Sequence, residues 1–186
     1  RGPTPKAFDA TWTPALAWVV GVIATDGCLS PDGRHVSIIS KDRQLIELLQ
    51  ECMGTSVCIG KSAGAFSHGE RKYFRLQIGW LRFYQWLQAI GLTTRKSKTI
   101  GALAIPDAYF WDFLRGCFDG DGSCFAYWDP RWRSSYVFSW ELASGSPVFI
   151  QWIRKKIRTL AGIHGGYIGQ GSGVQMLKYA KREGAI

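Results

Sequence analysis

The sequence predicts a mixed α+β fold of two pseudo-symmetric repeats, each with the element order αββαββα. Three observations carry that prediction. Two segments ending in Asp-Gly, at Asp26-Gly27 and Asp121-Gly122, align 95 residues apart, with Trp18 on Phe113 and Gly21 on Gly116. Each is followed by a hairpin signal, in which turn residues separate two alternating stretches. Each hairpin leads to an amphipathic helix and then to a second, Gly-rich pair of strands.

In the first repeat the helix starts at Thr13-Pro14 and stops at Gly27, the usual start and stop chemistry. Ser30-Pro31-Asp32-Gly33 is the turn of the first hairpin. Lys41 to Met53 has helical spacing, Val57 to Gly79 supplies the second strand pair, and Leu81 to Ile90 closes the repeat before Gly91. The second repeat opens at Ile105-Pro106-Asp107 with a helix running to Gly122. A strand over Phe125 to Trp128, a turn at Asp129-Pro130 and a strand over Arg131 to Leu142 follow. Pro147 to Leu160 then reads as a helix, and His164 to Lys178 as the last strand pair. By the same order a closing helix is expected after Tyr179, cut short at Ile186. The expected organisation is one repeat over residues 1–92, a basic linker over 93–104, and a second repeat over 105–186.

The 186 residues carry 23 Lys and Arg against 14 Asp and Glu, a formal charge of +9, and 46% are apolar. That apolar content excludes a disordered chain. No stretch approaches the roughly 20 apolar residues of a membrane span, so no membrane partner is expected. Arg1-Gly2-Pro3-Thr4 is not followed by a signal peptide, and the expected location is intracellular, in a bacterial cytoplasm or an organelle. Five cysteines without a C-x-x-C pair, and three scattered histidines, give neither a disulfide framework nor a zinc motif. The charge points to a polyanion, with nucleic acid the first choice. Nine Trp, seven Tyr and ten Phe fit a filled core, the commoner case, or base-stacking surfaces.

Asp26 and Asp121 are the chemically informative pair. Each lies at the C-terminal end of a helix, where the helix dipole disfavours a carboxylate by a few tenths to ~1 kcal/mol. One such acid is unremarkable before glycine, but two at equivalent repeat positions suggest a cation between them. Ala17 and Gly21, and likewise Asp112, Gly116 and Gly120, recur every four residues, and the small ones allow two helix backbones to approach closely. Packed side by side, the helices bring the acids together.

Val19-Val20-Gly21-Val22-Ile23-Ala24-Thr25-Asp26-Gly27 and Leu114-Arg115-Gly116-Cys117-Phe118-Asp119-Gly120-Asp121-Gly122 resemble the two LAGLIDADG motifs of single-chain homing endonucleases. The resemblance implies a monomer with a pseudo-two-fold axis between paired motif helices, its antiparallel sheets forming a saddle over double-stranded DNA. It implies a site-specific endonuclease that hydrolyses both strands with Mg2+, Mn2+ or Ca2+ being able to substitute, and leaves short 3′ overhangs. By position, Asp26 and Asp121 are the catalytic, metal-binding acids. Position 25, Thr25, is assigned no ligand role. A basic residue near the metals maps to Arg95-Lys96-Ser97-Lys98, with Lys96 first and Lys98 next; a solvated linker touching phosphates is the alternative for this stretch. Ser40 and Ser144 fall where polar residues assist.

The first motif carries Ala24 where the second carries Asp119, a position that is not a metal ligand in the family. Val20 and Arg115 replace the motif's small residue, with Arg115 expected to face outward. DNA reading is expected from strand residues: Arg71, Tyr73 and Arg75, spaced by two and so on one face, as are Arg131 and Arg133, with Gln175 and Lys178 near the corresponding place in the second repeat. Arg154, Lys155, Lys156 and Arg158 fit a solvated helix face. A non-cleaving protein on the same scaffold, an RNA-splicing maturase or a transcription regulator, is the competing reading. Retention of both motif acids favours cleavage.

Overall fold

The structure, a computed structural model, describes residues 8–63, 72–132 and 134–180. Helix α1 (Pro14–Thr25) begins where the Thr13 hydroxyl accepts the Leu16 N–H at 3.1 Å and Pro14 needs no donor partner. Leu16 to Ala24 is buried throughout, so this helix is apolar on every side and sits at the centre of the molecule. Strands β1 (Gly27–Leu29) and β2 (Val36–Ser40) form the first hairpin. Its turn is held by the Asp32 carboxylate, which accepts from the Arg34 and His35 N–H groups and pairs with the His35 ring. Helix α2 (Arg43–Cys52) starts two residues after Lys41 because Asp42 caps it. Strands β3 (Gly60–Ser62) and β4 (Tyr73–Ile78) and helix α3 (Leu81–Ala89) complete the first repeat.

The second repeat follows the same order. A single 3₁₀ turn, Asp107–Tyr109, leads into α4 (Phe110–Asp121), then β5 (Gly122–Trp128) and β6 (Tyr136–Ser144). Helix α5 (Pro147–Ala161) is capped by Ser146 and ended by Gly162 in the left-handed region at φ 69°, a backbone conformation that glycine adopts without a Cβ clash. Strands β7 (Tyr167–Gln170) and β8 (Gln175–Ala180) follow. The closing helix expected after Tyr179 falls largely outside the described residues, and β8 itself runs through Ala180.

The sheets are two copies of one topology, β1-β2-β4-β3 and β5-β6-β8-β7, all neighbours antiparallel. Gly27 pairs with Ile38 as Gly122 pairs with Leu142, and Ile38 pairs with Leu76 as Leu142 pairs with Leu177. Ile38, Leu76, Leu142 and Leu177 are buried against the helices, so each sheet has one helix-covered face and one turned away from the helices. The fold is the expected mixed α+β repeat.

One strand differs from expectation. β6 begins at Tyr136, not at Arg131. The Asp129 carboxylate accepts the Arg131 backbone N–H and pairs with its guanidinium, and the Trp132 carbonyl accepts the Ser135 N–H. These local bonds turn the chain and place Arg131 in the connection. The segment between the repeats is packed. Leu92, Ile100, Leu103 and Ile105 are buried, and the Ser146 hydroxyl donates to the Ile100 carbonyl at 2.5 Å.

Candidate metal centre at the crossing of two helices

α1 and α4 cross backbone to backbone. A Cβ added to Gly21 would stand 2.1 Å from the Phe113 carbonyl oxygen, and one added to Gly116 would stand 2.1 Å from that of Trp18. Trp18 and Phe113 are repeat counterparts, as are Gly21 and Gly116, so the two contacts are mirror versions of each other across a pseudo-two-fold axis. One turn further on, Gly120 meets its counterpart Thr25, where a Cβ would stand 2.1 Å from the hydroxyl oxygen. Thr25 turns that hydroxyl back to the Gly21 and Val22 carbonyls.

Just beyond this contact the chain places both acids. Asp26 caps α1, and Asp121 is the last residue of α4. A Cβ on Gly120 would lie 3.4 Å from Asp26 Oδ2, which fixes how closely the end of α4 approaches that carboxylate. Burial pushes the carboxyl pKa of each acid up, and the Asp26 charge pushes Asp121 up further, while Lys96 opposes both effects.

Lys96 is the third member of this group. It opens a 3₁₀ turn, Lys96–Lys98, whose preceding residue Arg95 holds the left-handed conformation at φ 56°. Only 5% of Lys96 is exposed, and its ammonium donates to the Thr25 carbonyl at 2.9 Å, one residue before Asp26. Burial lowers its pKa, and Asp121, Cys28 and Asp26 raise it. Lys98, on the same turn, is exposed.

Among the described residues no group of three His, Cys, Asp or Glu side chains is arranged to hold a metal. Two carboxylates brought together at the ends of α1 and α4 fit Mg2+, a hard cation commonly held by one or two carboxylates together with water and phosphate oxygens. The mutual destabilisation of their charges is what a cation would relieve.

Comparison with solved structures bears on the whole architecture. The N-terminal LAGLIDADG domain of DUF199/WhiA superposes with a TM-score of 0.56 at 17% identity, covering 91% of this chain and 75% of that one. The homing endonuclease I-WcaI, bound to its DNA recognition sequence, gives 0.60 at 12% identity, covering 90% and 77%. I-DmoI in complex with DNA and Mn gives 0.54 at 14% identity, covering 89% and 88%. The chain has the LAGLIDADG fold. No family model and no curated protein sequence matches it.

In this LAGLIDADG fold the earlier motif acid has a structural partner that sequence reasoning missed. Asp119 accepts the indole N–H of buried Trp18 at 2.7 Å, across the helix crossing. The mirror pair is Phe113 with Ala24, which has no donor and no acceptor. The two asymmetries therefore compensate each other, and the signal was in the sequence: Trp/Phe and Ala/Asp differ at coupled positions of the two motifs. Asp119→Ala leaves the indole N–H unsatisfied and is expected to cost about 1–3 kcal/mol. In urea denaturation, its combination with Trp18→Phe is expected to cost clearly less than the two single changes added together. Arg115 is exposed as expected, with its guanidinium 5.9 Å from the Trp18 ring centroid.

The other candidates separate. The Ser40 and Ser144 hydroxyls accept the N–H two residues on, from Asp42 and Ser146, and so shape equivalent turns before α2 and α5. Tyr73 and Arg75 share the face of the first sheet that is turned from the helices, together with Gln77. Arg71 and Arg133 lie outside the described residues. Gln175 and Lys178 are three apart on β8 and so occupy opposite faces; Lys178 is on the face turned from the helices and pairs with Glu141 at 2.6 Å. Arg154, Lys155 and Arg158 are exposed on α5, and Lys156 pairs with Asp107.

Proposed function

We propose that the chain is a site-specific double-strand DNA endonuclease that uses Mg2+ and leaves short 3′ overhangs. The observation that carries this reading is the meeting of Asp26 and Asp121 at the glycine-mediated helix crossing, with Lys96 buried beside them. A protein that only binds DNA has no use for two carboxylates at a site meant for a polyanion, where their charge repels phosphate.

Asp26 and Asp121 would hold the divalent cation, whose Lewis acidity polarises the scissile phosphate and steadies the leaving oxygen. The close crossing of α1 and α4 presents one acid from each repeat, so a single site faces both strands of a duplex. Lys96 offers a desolvated ammonium that stabilises negative charge developing on the phosphate. Its tie to the Thr25 carbonyl holds it one residue from Asp26 and away from solvent. Arg75 and Gln77 on the first sheet suit guanine and adenine edges. The repeats, residues 1–92 and 105–186, act as the two arms of a monomer, with 93–104 delivering Lys96 between them.

Selection of cleavable sites from a randomised duplex library with Mg2+ tests this reading; a library from which no site is cut would leave the chain a DNA-binding protein. Once a site is in hand, Lys96→Met is expected to slow cleavage about a hundredfold, as loss of one charge-stabilising donor does, with duplex binding in Ca2+ kept within a few-fold.

A further inference from the structure

Strands β1 and β5 start at the residues directly after Asp26 and Asp121. The face of each sheet turned from the helices therefore begins at the acids, and a duplex held at the acids runs out over both faces. The two faces are chemically unlike. Cross-strand register groups Ser37, Tyr73, Arg75 and Gln77 beside Ile39 on the first. On the second it groups Phe125, Tyr127 and, on the edge strand, Tyr167. These rings are 44%, 50% and 70% exposed. Lys178 is the one cation on that face among the described residues of the sheet. It pairs with Glu141 at 2.6 Å and lies 5.9 Å from the Phe125 ring centroid, so the two charges on this face cancel beside an apolar ring.

The major groove of a duplex offers hydrogen-bond donors and acceptors on every base pair, but only one apolar group, the C5-methyl of thymine. Arg75 and Gln77 suit the donors and acceptors. A phenyl or phenol ring gains little from them and gains by covering a methyl. Strand residues rise about 3.3 Å each, close to the 3.4 Å between base pairs, so a strand that follows the groove keeps step with the bases. Phe125 and Tyr127, at 125 and 127 against the acid at 121, then face base pairs about four to six steps from the acids.

We propose that the half of the duplex under the second sheet is read through thymine methyl groups by Phe125 and Tyr127, while the half under the first sheet is read through hydrogen bonds by Arg75 and Gln77. The DNA site is then asymmetric in chemistry as well as in sequence, although the scaffold is nearly symmetric. The inference rests on duplex DNA as the ligand of the proposed function, and it does not require cleavage.

The test separates a methyl group from everything else in the base pair. Duplexes retained by the protein in Ca2+ are recovered from a randomised library, then remade with deoxyuridine for thymidine in one half at a time. Deoxyuridine lacks the methyl and keeps the hydrogen-bonding edge. Each buried methyl is worth about fourfold in affinity, so two under the rings give about tenfold. The expected result is a loss of about tenfold from deoxyuridine in one half and less than twofold in the other. Phe125→Ala with Tyr127→Ala should bring thymidine duplexes down to the deoxyuridine level and leave the deoxyuridine duplexes unchanged; the melting temperature checks that this variant folds. Tyr127→Phe should keep the discrimination, because the ring and not the hydroxyl covers the methyl. Arg75→Ala should weaken both duplexes equally. Recovered sites without thymine in either half, equal binding of thymidine and deoxyuridine duplexes, or discrimination that survives loss of both rings would overturn the proposal and leave the nuclease reading standing. A library from which no duplex is retained would overturn both.

Discussion

Asp121→Asn is expected to abolish double-strand cleavage on any duplex the protein cuts, with a loss on the order of a thousandfold in rate. The basis is chemical. Asparagine keeps the shape of the side chain at the end of α4 but removes one of the two charges that would hold the divalent cation. Metal-ion stabilisation of a phosphoryl transfer is worth several kcal/mol, and about 4 kcal/mol is a thousandfold. Asp26→Asn should behave the same way, because the two acids are counterparts across one crossing, and the double variant should be little worse than either alone. Single-turnover cleavage in Mg2+ measures the loss. Duplex binding measured without metal should be kept, since neither acid attracts DNA. Intact cutting by both single variants would show that the catalytic acids lie elsewhere.

The second large effect is structural. Gly116→Ala places a methyl group 2.1 Å from the Trp18 carbonyl oxygen, and the atoms in its way are main chain on both sides. No rotamer relieves that contact, so the helices must separate. Overpacking typically costs 1–3 kcal/mol, and a clash against rigid backbone at the centre of a core belongs at or above the top of that range. For a protein of this size the melting temperature should fall by about 10 °C. Gly21→Ala mirrors it, with the Phe113 carbonyl oxygen also at 2.1 Å. Gly101→Ala is the matched control, because an added Cβ there meets nothing within 4 Å. Any surviving Gly116→Ala protein should also cleave poorly, since about 1 Å of displacement between the acids is enough to cost a hundredfold.

The parts of this molecule that were legible in the sequence are those set by local, repeated chemistry. Thr13-Pro14 and Ser146-Pro147 mark helix starts because each provides a cap and a residue with no donor to satisfy. Gly21 and Gly116 announce the crossing because a close helix contact tolerates little else. Asp26 and Asp121 could be paired because each ends its motif. The parts that stayed hidden depend on side chains meeting across long separations. Nothing near Lys96 indicates burial; its surroundings read as a basic linker, and only the fold brings the Thr25 carbonyl to it. The Trp18–Asp119 bond depends on how the two helices are rotated against each other. Arg131 departs from its expected strand for a local reason: the alternation runs through a stretch where Asp129 captures the backbone and delays β6.

The helix crossing also sets the order in which the chain can assemble. Its contacts join residues about 95 positions apart, so about half of the polypeptide must be closed into a loop before they form, and long loops make such contacts late and slow. During synthesis, α1 leaves the ribosome a whole repeat ahead of α4. Until α4 arrives, its Gly21 face has no partner, although the hairpin, α2 and α3 of its own repeat are already available to it. The rate-limiting step of folding should therefore be docking of two largely formed repeats, with Gly21 and Gly116 contributing more to slowing unfolding than to speeding the early collapse.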